Sequence, residues 1–275
     1  MSELILAPDY LIEKWNNLTL ANNFLFTKVM QNEEICKQTL ELLLDIKIKK
    51  LEYTHSEIYF KDSYDSRGVR FDVYTSDDKH CYDIEMQTTD KPNLLKRARY
   101  YSSCIDVDTL KSGGDFSKLK ENIIIFLCLE DPFKKGHPVY TFKTRCLEDT
   151  EIKDDEITKI FYNLSRLEKN HSKAVRTFLD FIKTNIPKDS FTEILRHYTD
   201  QAKLNADFRR QYMRLEMELS DSFHYGEAKG KLESAVIAVK KMNMKPELVA
   251  EQFNVPLEEL QKLIQCETII TQSQE

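Results

Sequence analysis

A chain of 275 residues with 41% hydrophobic content, 15 Phe and 13 Tyr can bury one sizeable core, or a core domain with a helical appendage. Only 6 Gly and 7 Pro leave little material for long linkers, which argues against disorder. The formal net charge of −6 argues against nonspecific coating of nucleic acid, because that affinity grows with the number of Lys and Arg that displace counterions; a local basic surface stays compatible with it.

The first stretch, residues 20–44, carries Phe24, Phe26, Val29, Ile35, Leu40, Leu43 and Leu44 at spacings of three and four, which predicts one or two amphipathic helices that pack rather than react. Residues 46–62 switch to a rough two-residue alternation and read as a half-buried strand. VRFDVY (69–74) and CYDIEMQ (81–87) alternate cleanly around the polar segment TSDDKH, the pattern of a hairpin. Alternation puts Tyr82, Ile84 and Met86 on one face with Asp83, Glu85 and Gln87 on the other, and sets Phe71 and Val73 against Arg70, Asp72 and Tyr74. Pro92 and Asn93 open a helix over 94–107, and Gly113-Gly114 marks a loop before a helix or turn at 116–120.

The run 123–129 (IIIFLCL) has strand length and lies far below the roughly 20 apolar residues of a membrane span. Segments 138–146 and 159–164 supply two more strands. The order predicts an α/β fold, a mixed sheet flanked by helices. From about residue 168 the spacing is helical throughout, and 246–275 reads as a short helix pair and tail joined at Phe253-Asn254-Val255. The expected division is 1–167, 168–245 and 246–275. The six cysteines (Cys36, Cys81, Cys104, Cys128, Cys146, Cys266) form no CxxC pair, and four sit in apolar or aromatic stretches, so reduced buried thiols are expected and a zinc site is not. The N-terminus has acids inside its apolar stretch and no basic start, so a cytoplasmic protein is expected.

The candidate chemistry lies on the hairpin. Asp72 on one arm faces Glu85-Met86-Gln87 on the other, and two carboxylates brought together there repel unless a hard divalent cation such as Mg²⁺ takes oxygen ligands from both. Such a cation lowers the pKa of bound water and steadies charge on phosphoryl oxygens. Gln87, on the face of Glu85, is placed to orient the attacking water. The competing reading is a solvated acidic strand face. Lys91, Lys96, Arg97 and Arg99 follow without an intervening acid, and with Tyr100 and Tyr101 they suit phosphate contacts and base stacking; otherwise the tyrosines pack and the charges are solvated. Asp83 reads as a hydrogen-bonding neighbour rather than a ligand. The terminal helix pair carries Glu258 and Glu259 against Lys262, which favours packing or self-association over base reading.

The segments RFDVYTSD, YDIEMQ, KRARYYSSCID, IFLCLEDPFKKGHPVYTFKTRC and IFYNL, with NNFLFTKVM upstream, resemble the PD-(D/E)XK nuclease family transposases, also called recombination-promoting nucleases. The resemblance covers residues 15–165 closely and the helical half more loosely. It implies a restriction-endonuclease-like core, Mg²⁺-dependent DNA cleavage (with Mn²⁺ as a substitute), a link to recombination of mobile DNA, metal on Asp72 and Glu85, and catalytic positions at Asp72, Glu85 and Gln87. Lys96, Arg97, Arg99 and Tyr100 are the expected DNA contacts. Gln87 stands where the superfamily usually has Lys, and the opening helix has Asn23 and Thr27 where an acid and a base are expected. A nuclease-fold module that binds DNA or a protein without cutting is therefore the alternative. A homodimer would suit double-strand cleavage, since one site cuts one strand.

Overall fold

The computed structural model describes residues 9–52, 59–60, 69–167 and 172–272, with backbone alone for 59–60 and 266–272. Helices α1 (Asp9–Asn16), α2 (Asn23–Met30) and α3 (Glu33–Leu44) open the chain, in line with the spacing over 20–44. Asparagines cap α2 and α3. The side chains of Asn22 and Asn32 accept the N–H groups of Leu25 and Ile35, donors that a helix start leaves without a backbone partner.

The strand expected over 46–62 is not one element. Ile48 and Leu51 are buried, but residues 46–51 have no ladder partner, and Glu52 makes only an isolated bridge to Ser76. Strand β1 (Tyr59–Phe60) pairs antiparallel with β2 (Val69–Arg70) in a separate two-stranded sheet; residues 53–58 and 61–62 lie outside the described residues. The Ile and Lys alternation determines which side chains are buried, yet alternation alone supplies no neighbouring strand.

The hairpin is present as β3 (Val73–Ser76) and β4 (His80–Gln87), registered from Val73 opposite Ile84 to Ser76 opposite Cys81. Asp77 makes its turn by accepting the N–H groups of Lys79 and His80, both at 2.8 Å. The first arm is shorter than the sequence predicts, because the chain breaks between β2 and β3 at Phe71 and Asp72. The alternation breaks there too. Phe71 and Tyr74 share one core cluster, with ring centroids 5.6 Å apart, so Phe71 does not lie on the face of Val73.

Helix α4 (Leu94–Thr109) and a 3-10 turn at Phe116–Lys118 lead to β5 (Glu121–Cys128), followed by β6 (Val139–Lys143) and β7 (Ile157–Asn163). The five-stranded sheet runs β3-β4-β5-β7-β6, with β4, β5 and β7 parallel and the two outer pairs antiparallel. Parallel neighbours need a long crossover, and α4 supplies it between β4 and β5. Register aligns Tyr82, Ile84 and Met86 with Ile123, Ile125 and Leu127 on one face. That face carries α2 and α3, and the Tyr162 hydroxyl on β7 donates to the Leu43 carbonyl. Asp83, Glu85 and Gln87 align with Ile124, Phe126 and Cys128 on the other face, which α4 covers through Leu94, Ala98, Tyr101 and Ile105.

Helices α5 (Lys173–Thr184), α6 (Ser190–Leu204), α7 (Ala206–Met242), α8 (Pro246–Phe253) and α9 (Leu257–Gln272) complete the chain, all-helical as the spacing predicts. The compact units are Met1–Arg209 and Arg210–Glu275, so the change of character near residue 168 is not their boundary. The reason is packing: α5 lies against α3, and α6 against α2, which ties both helices to the sheet unit. The second unit has its own core, in which Ala235, Val236 and Ala238 of α7 meet Val249 and Ala250 of α8 and Leu260 of α9. Cys36, Cys81 and Cys128 are buried, and Cys104 and Cys146 partly so. Among the described residues no helix is long and apolar enough to cross a membrane.

Candidate active site

The break that shortens β3 builds the site. Beyond Val73 the ladder to β4 stops, which leaves the Met86 N–H without a strand partner; the Asp72 carboxylate turns back and accepts it through Oδ2 at 3.0 Å. In return the Asp72 N–H donates to Glu85 Oε1 at 3.0 Å. The two carboxylates are thereby brought together by the N–H groups of Asp72 and Met86 rather than by two intact strands. Asn23, the first residue of α2, donates its side-chain amide to Asp72 Oδ2 at 3.3 Å. An acid at that position would confront Asp72 with a third negative oxygen; asparagine gives it a donor instead.

The site is dry. Asp72 and Gln87 are each 6% exposed and Glu85 is 2% exposed, which rules out the solvated acidic face. Burial pushes the Asp72 carboxyl up to about 6 against the lowering effect of the Met86 N–H. Burial, followed by the neighbouring charge of Asp72, pushes Glu85 up to about 8. Asp83 is fully enclosed and is raised well above the usual carboxylate range by burial and then by Glu85 and Asp72. Neither of its side-chain oxygens has a hydrogen-bond partner among the described residues. Three acids on one covered face require protons or a cation.

Arg97 of α4 supplies part of that positive charge. Its Nη2 meets Glu85 Oε2 at 2.9 Å, and its Nη1 donates to Gln87 Oε1 at 2.9 Å. Its Nε donates to the Tyr101 hydroxyl at 3.1 Å, and the guanidinium stands 5.2 Å from the ring centroids of both Tyr101 and Phe126. The other amide group of Gln87, Nε2, donates to the Thr89 carbonyl, so both ends of the side chain are held. Among the described residues no three His, Cys, Asp or Glu side chains form a group that could hold a metal. Asp72, Glu85 and the Gln87 amide oxygen are nevertheless an all-oxygen set of the kind a hard divalent cation takes, with Arg97 already engaging Glu85 Oε2 and Gln87 Oε1.

The basic helix divides in two. Arg97 and Tyr101 face inward, while Lys96, Arg99 and Tyr100 are exposed, Tyr100 at 40%. Arg97 and Tyr101 are four residues apart, in helical phase with Leu94, Ala98 and Ile105, and that phase is the sequence signal that separates them from Lys96 and Arg99. The burial of Asp83 has no such signal, because alternation gives its face but not what covers the face.

The mixed five-stranded sheet flanked by helices, followed by a helical C-terminal region, is the architecture of a PD-(D/E)XK nuclease fold. A model of the PD-(D/E)XK nuclease family transposases matches residues 21–236, and the chain belongs to that family. No curated protein and no solved structure gives a match.

Proposed function

We propose that the protein is a Mg²⁺-dependent endodeoxyribonuclease acting in recombination of mobile DNA, with Asp72, Glu85 and Gln87 as its working residues. The observation that carries this reading is the buried pair of acids at the open end of the hairpin, Glu85 accepting the Asp72 N–H and Asp72 accepting the Met86 N–H, with burial pushing both carboxyls up toward neutral pH. Asp72 and Glu85 would hold the metal, with Mn²⁺ as a substitute; when bound, it supplies Lewis acidity to the phosphodiester and lowers the pKa of water. Gln87, its amide held by Arg97 and the Thr89 carbonyl, orients the attacking water. The Arg97 guanidinium adds fixed positive charge where the usual lysine is missing, so that neutral Gln87 does not leave the site without a cationic side chain.

One observation favours a second reading. The Arg97 ion pair already occupies Glu85 Oε2, which is what a nuclease-fold module that binds DNA or a protein partner without cutting would display. Calorimetric titration of Mn²⁺ and Mg²⁺ in the presence of DNA separates the two. The nuclease reading expects saturable binding that Asp72→Asn weakens at least tenfold; absence of binding in the wild type would leave the module.

A further inference from the structure

Lys91, Lys96, Arg99 and Lys159 line one cleft, and none of the four has an acidic partner among the described residues. Lys91 precedes α4, Lys96 and Arg99 stand on its exposed flank, and Lys159 is on β7, with Phe133 and Phe142 as apolar wall. Two further cations at the rim are already paired, Lys134 with Asp90 at 2.8 Å and Lys143 with Asp154 at 3.5 Å. Asp90, the acid that lines the cleft, is thereby neutralised. One end of the cleft adjoins Gln87. Lys91, Leu94 and Pro132 line both it and a small recess that contains Gln87.

In a chain of formal net charge −6, four unpaired cations gathered in one concavity need an anionic occupant. The cleft is longer than a single anion site, because its cations come from the loop before α4, from two positions along that helix and from β7, two strands away from β4. We propose that it is the track on which one strand of a DNA duplex lies, its phosphates held by Lys91, Lys96, Arg99 and Lys159 and its scissile bond delivered to Asp72 and Glu85. Arg97, turned inward, takes no part in the track. The delivery step rests on the nuclease reading; the binding step does not.

The test is anisotropy of a labelled DNA duplex with the full chain in chelator, where nothing is cut, over a series of salt concentrations. Four phosphate contacts predict a slope of log affinity against log salt near −3.6, about a hundredfold loss from about 50 to 200 mM salt. Lys91→Gln, Lys96→Gln, Arg99→Gln and Lys159→Gln together should remove most of that slope, and Lys159→Gln or Lys96→Gln alone should lower it by about 0.9. The single variants keep the test valid should the fourfold variant unfold. An equal change of charge on α7, Lys229→Gln, Lys231→Gln, Lys240→Gln and Lys241→Gln, should leave the slope unchanged. The proposal is overturned if the α7 variant loses as much as the cleft variant, if the cleft variants bind like wild type, or if inorganic phosphate at constant ionic strength displaces the duplex. Binding through the cleft without cleavage in Mg²⁺ would sink the nuclease reading alone, and cleavage with unaltered KM in the cleft variants would sink the track alone.

Discussion

Glu85 is caught between a backbone N–H on one oxygen and a guanidinium on the other, at 2% exposure, so each partner's removal leaves a buried charge alone. Above about pH 8, where Glu85 is ionised, Arg97→Ala should destabilise the metal-free protein by about 3–5 kcal/mol, and by much less in a Glu85→Gln background; equal losses in both would mean the pair is not coupled. The carboxyls set a pH dependence of definite sign. Their folded pKa values, about 6 for Asp72 and about 8 for Glu85, lie above their ordinary values of 3.8 and 4.5. The folded state thus holds protons that the unfolded chain has released. Stability in chelator should be fullest near pH 4 and fall as pH rises to about 8, by on the order of 2 kcal/mol or more. Glu85→Gln should abolish the part of the fall between about pH 6 and 8, and urea titrations giving parallel profiles for variant and wild type would contradict this. Alternation put Glu85 and Gln87 on one face of β4, where the register also has them. It did not reveal that Asp72 works from a break in the strand, since a backbone that leaves its ladder to let a side chain accept Met86 N–H has no two-residue signature.

Helix α4 decides what kind of face the acids occupy. Its residues Leu94, Ala98, Tyr101 and Ile105 cover Ile124, Phe126 and Cys128, and that layer dries Asp83, Glu85 and Gln87. The helix itself was readable from Pro92-Asn93 and the spacing that follows, and the sheet strands from their apolar runs. Which face of β4 it would cover was not, because both faces are buried and a polar alternation looks the same under solvent or under a helix. Residues 46–51 depart from the expected strand for the complementary reason, lacking among the described residues a neighbour to form a ladder. Ala98 has no exposed surface, so Ala98→Leu should lift α4 from β5 at about 1–3 kcal/mol. The displacement should also separate Arg97 from Glu85, and thus reduce the coupling between them in a double-mutant cycle; undiminished coupling would show that α4 does not position the arginine.

The whole molecule consists of two compact units, each with its own core, and the site lies wholly in Met1–Arg209. Composition placed a boundary where strands give way to helices, whereas packing places it near the start of α7, after the helices that lie against α2 and α3. Leu260, fully buried in the second core, gives a clean separation: Leu260→Ala should cost about 2–5 kcal/mol in the unfolding of Arg210–Glu275 and leave metal binding by Asp72 and Glu85 unchanged. Loss of metal binding in that variant would tie the two cores together. The measurement that tests the central claim most directly is conversion of supercoiled plasmid by wild type and by Glu85→Ala, at low salt, with Mg²⁺, Mn²⁺ or chelator. The account predicts metal-dependent nicking or linearisation by the wild type that chelator stops and Glu85→Ala reduces by at least a hundredfold; a wild type as inert as the variant in both metals would contradict it.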